Sequence, residues 1–209
     1  FGDLSGCYSR VKHGPKVKVK AITHRNNPIM QFVFPGHPDY WNMATPGFEA
    51  SIYEAAKKVT PNIVDVHVPT FNPLMCCISM KKYPSVEGRE TGLQKLVMMA
   101  AFVANPFLKL VIVVDDDVNV QRDEEILWAL GFRFQAKDPL THEDRMFIIP
   151  GAMGNRADPS SFHFEYPSAK IGIDATIRSD ITPEQRMEFE RVKCVGLDQI
   201  NLRELIEEY

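Results

Sequence analysis

Asp115, Asp116 and Asp117 directly follow four apolar residues in the stretch VIVVDDDVNV, Val111 to Val120. Three adjacent carboxylates could bind Mg2+ or serve as a catalytic acid cluster. Their place supports the idea, because ligands collect beyond the C-terminal ends of strands in open α/β sheets. Their spacing limits it. Alternate strand residues point to opposite faces, so only Asp115 and Asp117 can share one. No glycine loop with a lysine accompanies them to hold a phosphate. The plainer reading is a solvated strand end whose aspartates bond neighbouring backbone or an arginine.

Other reactive groups carry weaker signals. Gly151-Ala152-Met153-Gly154 has the glycines of a phosphate loop but not its lysine. His142, Glu143, Asp144 and Arg145 offer acid, base and guanidinium, but consecutive residues point apart, and a charged edge before a strand fits better. Arg25, between His24 and Asn26-Asn27, could anchor a carboxylate or fix a turn. Asp3 sits in a glycine-containing stretch that reads as a turn. The six histidines form no H-x-H or H-E-x-x-H pattern, and Cys7, Cys76, Cys77 and Cys194 form no C-x-x-C pair, so neither zinc spacing nor a thioredoxin motif is present. Cys76 and Cys77 should face opposite ways in one strand, as reduced thiols of a cytoplasmic protein.

The elements that must position these groups alternate between strands and helices. VKVKAI (17–22) alternates apolar and basic residues, the pattern of a half-buried strand, and IMQFVF (29–34) follows a turn at Asn26-Asn27-Pro28. PGHPDYWNMATPG (35–47), with its prolines and glycines, reads as an ordered loop. An amphipathic helix is predicted over 48–59, through Phe48, Ile52, Ala55, Ala56 and Val59. Strands are predicted at 63–68 and 74–80, and a helix over 90–104 on Leu93, Leu96, Val97, Ala100, Ala101 and Ala104. LKLVIVV (108–114) is nearly all apolar, as a strand covered on both faces should be. A helix is predicted over 123–131, with Asp123, Glu124 and Glu125 in the first turn where the dipole favours acids. Short strands follow at 146–149 and 169–175, then helices at about 183–193, opening on Pro183, and 199–208. The fold class is α/β: a layered, mainly parallel, Rossmann-like sheet flanked by helices and entered through an antiparallel arm.

The 209 residues are 44% hydrophobic and 24% charged, which is enough apolar material for a sizeable core. A formal net charge of −3 with scattered basic residues gives no footprint for nucleic acid or an acidic membrane. No apolar run is long enough to span a bilayer. The opening FGDLSG has neither a basic start nor an apolar core of a secretory signal, and a cytoplasmic location is expected. It also lacks an initiator Met, so the chain is expected to begin inside a longer protein.

Four segments in order resemble the C-terminal part of the UbiD-type (de)carboxylases, the family dependent on prenylated FMN. FGDLSGCYS (1–9) is similar to the end of the family's P-E-G-P-F-G-[DE] stretch, and ITHRNNPIM (22–30) to its I-T-x-R-x-x-P-I turn. VVDDDVNVQRDEEILWALGFR (113–133) is similar to the V-D-x-D strand end and the W-A helix, and KIGIDAT (170–176) to K-x-G-[IV]-D-A-T.

The resemblance implies decarboxylation, or reversible carboxylation, of aromatic or α,β-unsaturated acids through a prenylated-flavin adduct. In the family an upstream domain holds that flavin with Mn or Mg and K, so no cofactor or metal is expected on this chain alone. Of the family's Glu-Arg-Glu catalytic network, one acid falls on Asp3, here an aspartate, as the implied proton donor. Cys7 stands where the family commonly has an aromatic residue. The implied substrate-binding positions are Thr45, Pro46, Pro106, Phe107, Met146 and Ile148, mostly apolar as an aromatic substrate requires.

The implied organisation is an arm at 1–35 continuing from a missing flavin-binding domain, an α/β domain at 36–182, and C-terminal helices at 183–209 suited to oligomerisation. The expected partners are the acid substrate, the missing flavin domain or subunit, and further copies in a dimer or hexamer, with no nucleic acid and no membrane span. Two alternatives stand beside this reading. One is a stand-alone assembly or regulatory subunit with no activity of its own. The other is a small Mg-nucleotide-binding α/β protein that uses the aspartate run.

Overall fold

The computed structural model describes residues 8, 14–34, 36–81, 92–138, 144–150, 169–178, 181–190, 192 and 196. Within residues 1–179, the first of two compact units, five strands form one sheet. They are β1 (Ile63–His67), β2 (Met75–Met80), β3 (Leu110–Asp115), β4 (Met146–Pro150) and β5 (Ala169–Asp174), in the order β1-β2-β3-β5-β4. β2, β3 and β5 are parallel, and β1 and β4 run antiparallel along the two edges. The sheet is thus mixed with a parallel centre, and the α/β expectation holds.

The central strands are apolar on both faces because both faces are covered. On one face, Cys76, Ile78, Val111 and Val113 pack with Ile52 and Ala56 of α1 (Pro38–Val59) and with Val97, Met98 and Ala101 of α2 (Leu93–Ala104). On the other, Cys77, Ile112 and Val114 pack with Ile126 and Ala129 of α3 (Asp123–Phe132). Register explains the division: Cys76 lies opposite Val111 and Cys77 opposite Ile112, so adjacent cysteines feed different cores. At the edge, Phe147 and Ile149 of β4 join the α1–α2 side. Met146 pairs in register with Ile173, which packs on the α3 side.

Two glycines meet backbone or packing demands. Gly92, at φ 104, caps the start of α2 in a conformation most residues avoid. Gly172 in β5 leaves room for a ring: a Cβ there would lie 2.4 Å from two atoms of Phe147 and 2.9 Å from Met98 Sδ.

The structure corrects the sequence reading in three places. Residues 36–47 belong mainly to α1, which starts at Pro38 and runs through Pro46 and Gly47, rather than to a loop. His37 caps it, its Nδ1 accepting the Asp39 N–H at 3.3 Å. Residues 14–34 form no strand. Most of their apolar side chains stand in solvent, with Val17 86% exposed, and period-two alternation alone supplies no ladder partner.

The third correction lies in the second unit, residues 180–209, where α4 (Pro183–Met187) is shorter than the predicted 183–193. Its start matches expectation. Thr182 and Gln185 form a reciprocal capping box around Pro183 at the first helical position. The helix expected at 199–208 lies outside the described residues.

Candidate functional site

Strand β3 ends on Asp115, and its carboxylate turns inward. Oδ2 accepts the Ile177 N–H at 2.6 Å and lies 3.4 Å from Arg133 Nη1. Arg133 follows α3 and reaches back to Asp117 through two bonds, 2.7 Å from Nη1 and 2.5 Å from Nη2. Its guanidinium also lies over the Trp128 ring, 4.7 Å from the centroid. The aspartate run is therefore an arginine socket that fastens α3 and the segment after β5 to the end of β3. Asp116 stays exposed in the turn. A Mg-nucleotide site built on these carboxylates loses its ligands to Arg133, and among the described residues no group of three or more His, Cys, Asp or Glu could hold a metal.

β5 ends on a second arginine socket. Asp174 Oδ1 accepts from the N–H of Thr176 at 3.0 Å and from its hydroxyl at 2.6 Å, and pairs with Arg145 Nη2 at 3.0 Å. Arg145 Nη2 also donates to the Thr176 carbonyl and hydroxyl. Arg178 pairs with Asp138 at 3.0 Å nearby in the chain. The motif at Asp174-Ala175-Thr176 is thus a folded turn around Arg145. This arginine is buried, contrary to the charged-edge reading; His142 and Glu143 lie outside the described residues. Sequence reasoning missed its role because its partners lie about thirty residues away. The one local signal is a cation set directly before an apolar strand.

A third feature sits beside two predicted substrate positions. Lys170 Nζ donates to the carbonyls of Pro106 at 2.7 Å and Leu108 at 2.6 Å, and lies 5.3 Å from the Phe102 ring centroid. Burial lowers its pKa from the usual lysine value. The ammonium fixes the turn between α2 and β3, and Asn105 Oδ1 accepts the Phe107 N–H at 3.0 Å. Phe107 is held with its ring half exposed.

On the first face, Glu49 of α1 clamps the end of β1. Its Oε1 lies 3.0 Å from His67 Nδ1 and accepts the Val68 N–H at 2.8 Å. Cys76 and Cys77 are inert by placement. Burial pushes the Cys77 thiol up to about 12, with Asp123 adding to it, and burial also raises Cys76, helped by Cys77 and Glu49.

The remaining expected residues scatter. Thr45 is buried in α1, 5% exposed, and Pro46 is exposed on the same helix, on the first face of the sheet. Ile148, 60% exposed, alternates with Phe147 and Ile149 and so lies with Met146 on the other face. The described residues do not gather these six around one cavity. Arg25 fixes its turn, donating from Nε to the Asn27 carbonyl at 3.2 Å, with Asn27 at φ 56. Asp3, Cys7, Cys194, Gly151 and Gly154 lie outside the described residues.

A cavity of about 490 Å3 opens between the arm and the first turns of α1, lined by Phe32, Phe34, His37, Asp39, Asn42 and Met43 among others. Its size suits a ligand. It presents no Lys or Arg to a flavin phosphate, so neither this cavity nor any described acidic cluster fits the flavin and its metals. No helix of the described residues is long and apolar enough to cross a membrane.

Comparison with known proteins adds a family context. Residues 42–175 match the model of the 3-octaprenyl-4-hydroxybenzoate carboxy-lyase C-terminal domain, and residues 1–38 match that enzyme's Rift-related domain. Anhydromevalonate phosphate decarboxylase of Methanocaldococcus jannaschii is 29% identical over 92% of this chain and 43% of its own length. The structure of the UbiD-class enzyme HmfF from Pelotomaculum thermopropionicum in complex with FMN superposes with a TM-score of 0.78 at 31% identity, over 98% of this chain and 42% of that one. Vanillic acid decarboxylase of Sedimentibacter hydroxybenzoicus, 26% identical, matches in a closed form over 100% of this chain and 42% of that one, with a TM-score of 0.69. It also matches in an open form over 90% and 38%, with a TM-score of 0.60. The chain thus spans less than half the length of these relatives.

Proposed function

Because this chain belongs to the UbiD family of carboxy-lyases, we propose that it forms the C-terminal part of a decarboxylase acting on aromatic or α,β-unsaturated carboxylic acids. The observation that carries this reading is the consecutive match of two domains of one enzyme, at 1–38 and 42–175, together with the likeness to an FMN-bound enzyme over 98% of the chain. The names of the relatives supply the substrate class: one acts on an anhydromevalonate phosphate and another on vanillic acid.

In this reading a prenylated FMN, held with Mn or Mg and K by a flavin-binding part outside this chain, supplies the electron sink for loss of CO2. The chain's own contribution is proton transfer and orientation. Asp3 delivers a proton to the carbon that CO2 leaves, and takes one back in the reverse direction. Phe107, held by the Lys170 turn, and Ile148 with Met146 at the sheet edge are the apolar contacts for the acid's hydrocarbon part, with Pro106 beside them. The uncharged outer stripe of α2, Leu96, Met99 and Val103, supports assembly into a homo-oligomer.

The test combines this chain with a flavin-binding part loaded with prenylated FMN, and measures CO2 release from a panel of aromatic and α,β-unsaturated acids. Release that requires both parts supports the reading. A stable complex that binds the acids yet releases no CO2 contradicts it and leaves an assembly subunit.

A further inference from the structure

The turn that carries Phe107 is held more tightly than the connection of a helix to a strand requires. α2 ends at Ala104 and β3 begins at Leu110. Between them, Asn105 Oδ1 accepts the Phe107 N–H at 3.0 Å, and the Asn105 carbonyl accepts the Leu108 N–H at 3.2 Å. These two bonds already close the turn. Lys170 adds two more from β5, donating to the carbonyls on either side of Phe107, those of Pro106 and Leu108.

Two costs converge on this turn. Lys170 gives up part of its hydration, and burial lowers its pKa. Asn105 is 3% exposed, and its Nδ2 is buried with no hydrogen-bond partner among the described residues, so the amide serves there through its oxygen alone. A role in capping α2 does not account for the lysine. The last turn of α2 has no basic residue, but the carbonyls that a helix leaves open are those of its final four residues. The ammonium bonds instead to residues 106 and 108, past the helix end.

Lys170 also connects the turn to the edge strand. It pairs in register with Ile149 of β4. Its ammonium lies over the Phe102 ring, which meets Phe147 of β4 edge-on with 6.4 Å between centroids. Phe147 stands between Met146 and Ile148. One side chain thus ties together the two segments that carry Pro106, Phe107, Met146 and Ile148.

We propose that Lys170 is a specificity-determining positioning residue: by fixing the Pro106–Leu108 backbone against the β4 edge, it sets how far the Phe107 ring stands out, and so the width of the acid's hydrocarbon part. The proposal rests on the decarboxylase reading, which places the acid against Phe107. Phe107 is 48% exposed, so its ring offers a surface whose place depends on the backbone beneath it. A wall that cannot yield favours one-ring acids over two-ring acids. Without the ammonium the turn gives way, and wider acids enter.

Two measurements test this. In the full chain, amide hydrogen exchange at Phe107 and Leu108 should rise at least about tenfold in Lys170→Met, while Val111 to Val114 of β3 keep their protection. Lys170→Arg, which can still donate to both carbonyls, should restore much of it. In the complex with a flavin-binding part loaded with prenylated FMN, Lys170→Met should shift the ratio of kcat/KM at least about fivefold toward a two-ring acid, mostly through KM, and Lys170→Arg should bring it back. Phe107→Ala should shift the ratio the same way, and adding Lys170→Met to it should change little, since the lysine acts through that ring. Unchanged exchange at 107 and 108 in Lys170→Met overturns the proposal without any assay of activity, so this failure is distinct from failure of the decarboxylase reading. An unchanged ratio in an active complex, or fully additive shifts from the two substitutions, overturns it as well.

Discussion

Asp115 and Arg133 face each other at 3.4 Å with side chains 2% and 1% exposed, at the end of the central strand of the sheet. The carboxylate also takes the Ile177 N–H, and the guanidinium continues to Asp117 and Trp128. The two ends of the 113–133 segment thus meet in one buried contact, joined by the residue that follows the 170–176 segment, and the part of the molecule that most resembled a metal site is a fastening.

Breaking that fastening from one side should be costly. Arg133→Met leaves Asp115 buried without its cation, and the expected loss is about 3 kcal/mol or more of unfolding free energy. Asp116→Ala, at an exposed turn, should change stability by under about 0.5 kcal/mol. Urea unfolding of the two variants measures the difference. Similar midpoints for both would remove the structural role of the pair.

The thiols give a pH prediction. In the folded chain Cys77 titrates near 12 rather than near the ordinary 9, so between those values the native state binds the proton that the unfolded chain has shed. Its contribution to stability is complete below about pH 9 and is lost as pH rises through 12. Cys76 acts in the same direction. Lys170, lowered by burial, acts in the opposite sense below its usual value and offsets part of the loss. Denaturant midpoints should fall with pH in this alkaline window, less steeply in Cys77→Ala. At pH 8 Cys76 and Cys77 should react with a thiol reagent only after unfolding.

Gly172→Ala tests a packing constraint. The new methyl would lie 2.4 Å from the Phe147 ring, which is held in the α1–α2 core at the sheet edge. Displacing the ring should cost about 1–3 kcal/mol. Combining it with Phe147→Leu should recover part of that loss, and a double-mutant cycle by calorimetry measures the coupling.

How much of this was legible in the sequence depends on the range of the interactions. The apolar runs at 75–80 and 110–115 identify buried parallel strands because nearly every residue in them must be covered. The opposite facing of Cys76 and Cys77 follows from pleating alone. The first half of α1 was hidden by Pro46 and Gly47, which signal a loop by local rule and are tolerated here within a helix that Trp41, Ile52 and Ala56 seat. The strands expected at 17–22 and 29–34 failed for the converse reason: Val17, Val19 and Ala21 alternate correctly but have no ladder or core to join among the described residues. Arg133 and Arg145 were not identified as partners of Asp115 and Asp174 because the chain must fold before 18 and 29 residues of separation close.

The most direct test of the central claim concerns Asp3 in the enzyme assembled with its prenylated-FMN-bearing part. In deuterated buffer the wild type should incorporate deuterium at the carbon from which CO2 departs. Asp3→Asn should lower both turnover and incorporation at least about a hundredfold, while the flavin spectrum and acid binding stay unchanged, and Asp3→Glu should restore part of the rate. Wild-type rates of CO2 release and deuterium incorporation in Asp3→Asn would contradict the assignment of this chain as the source of the proton.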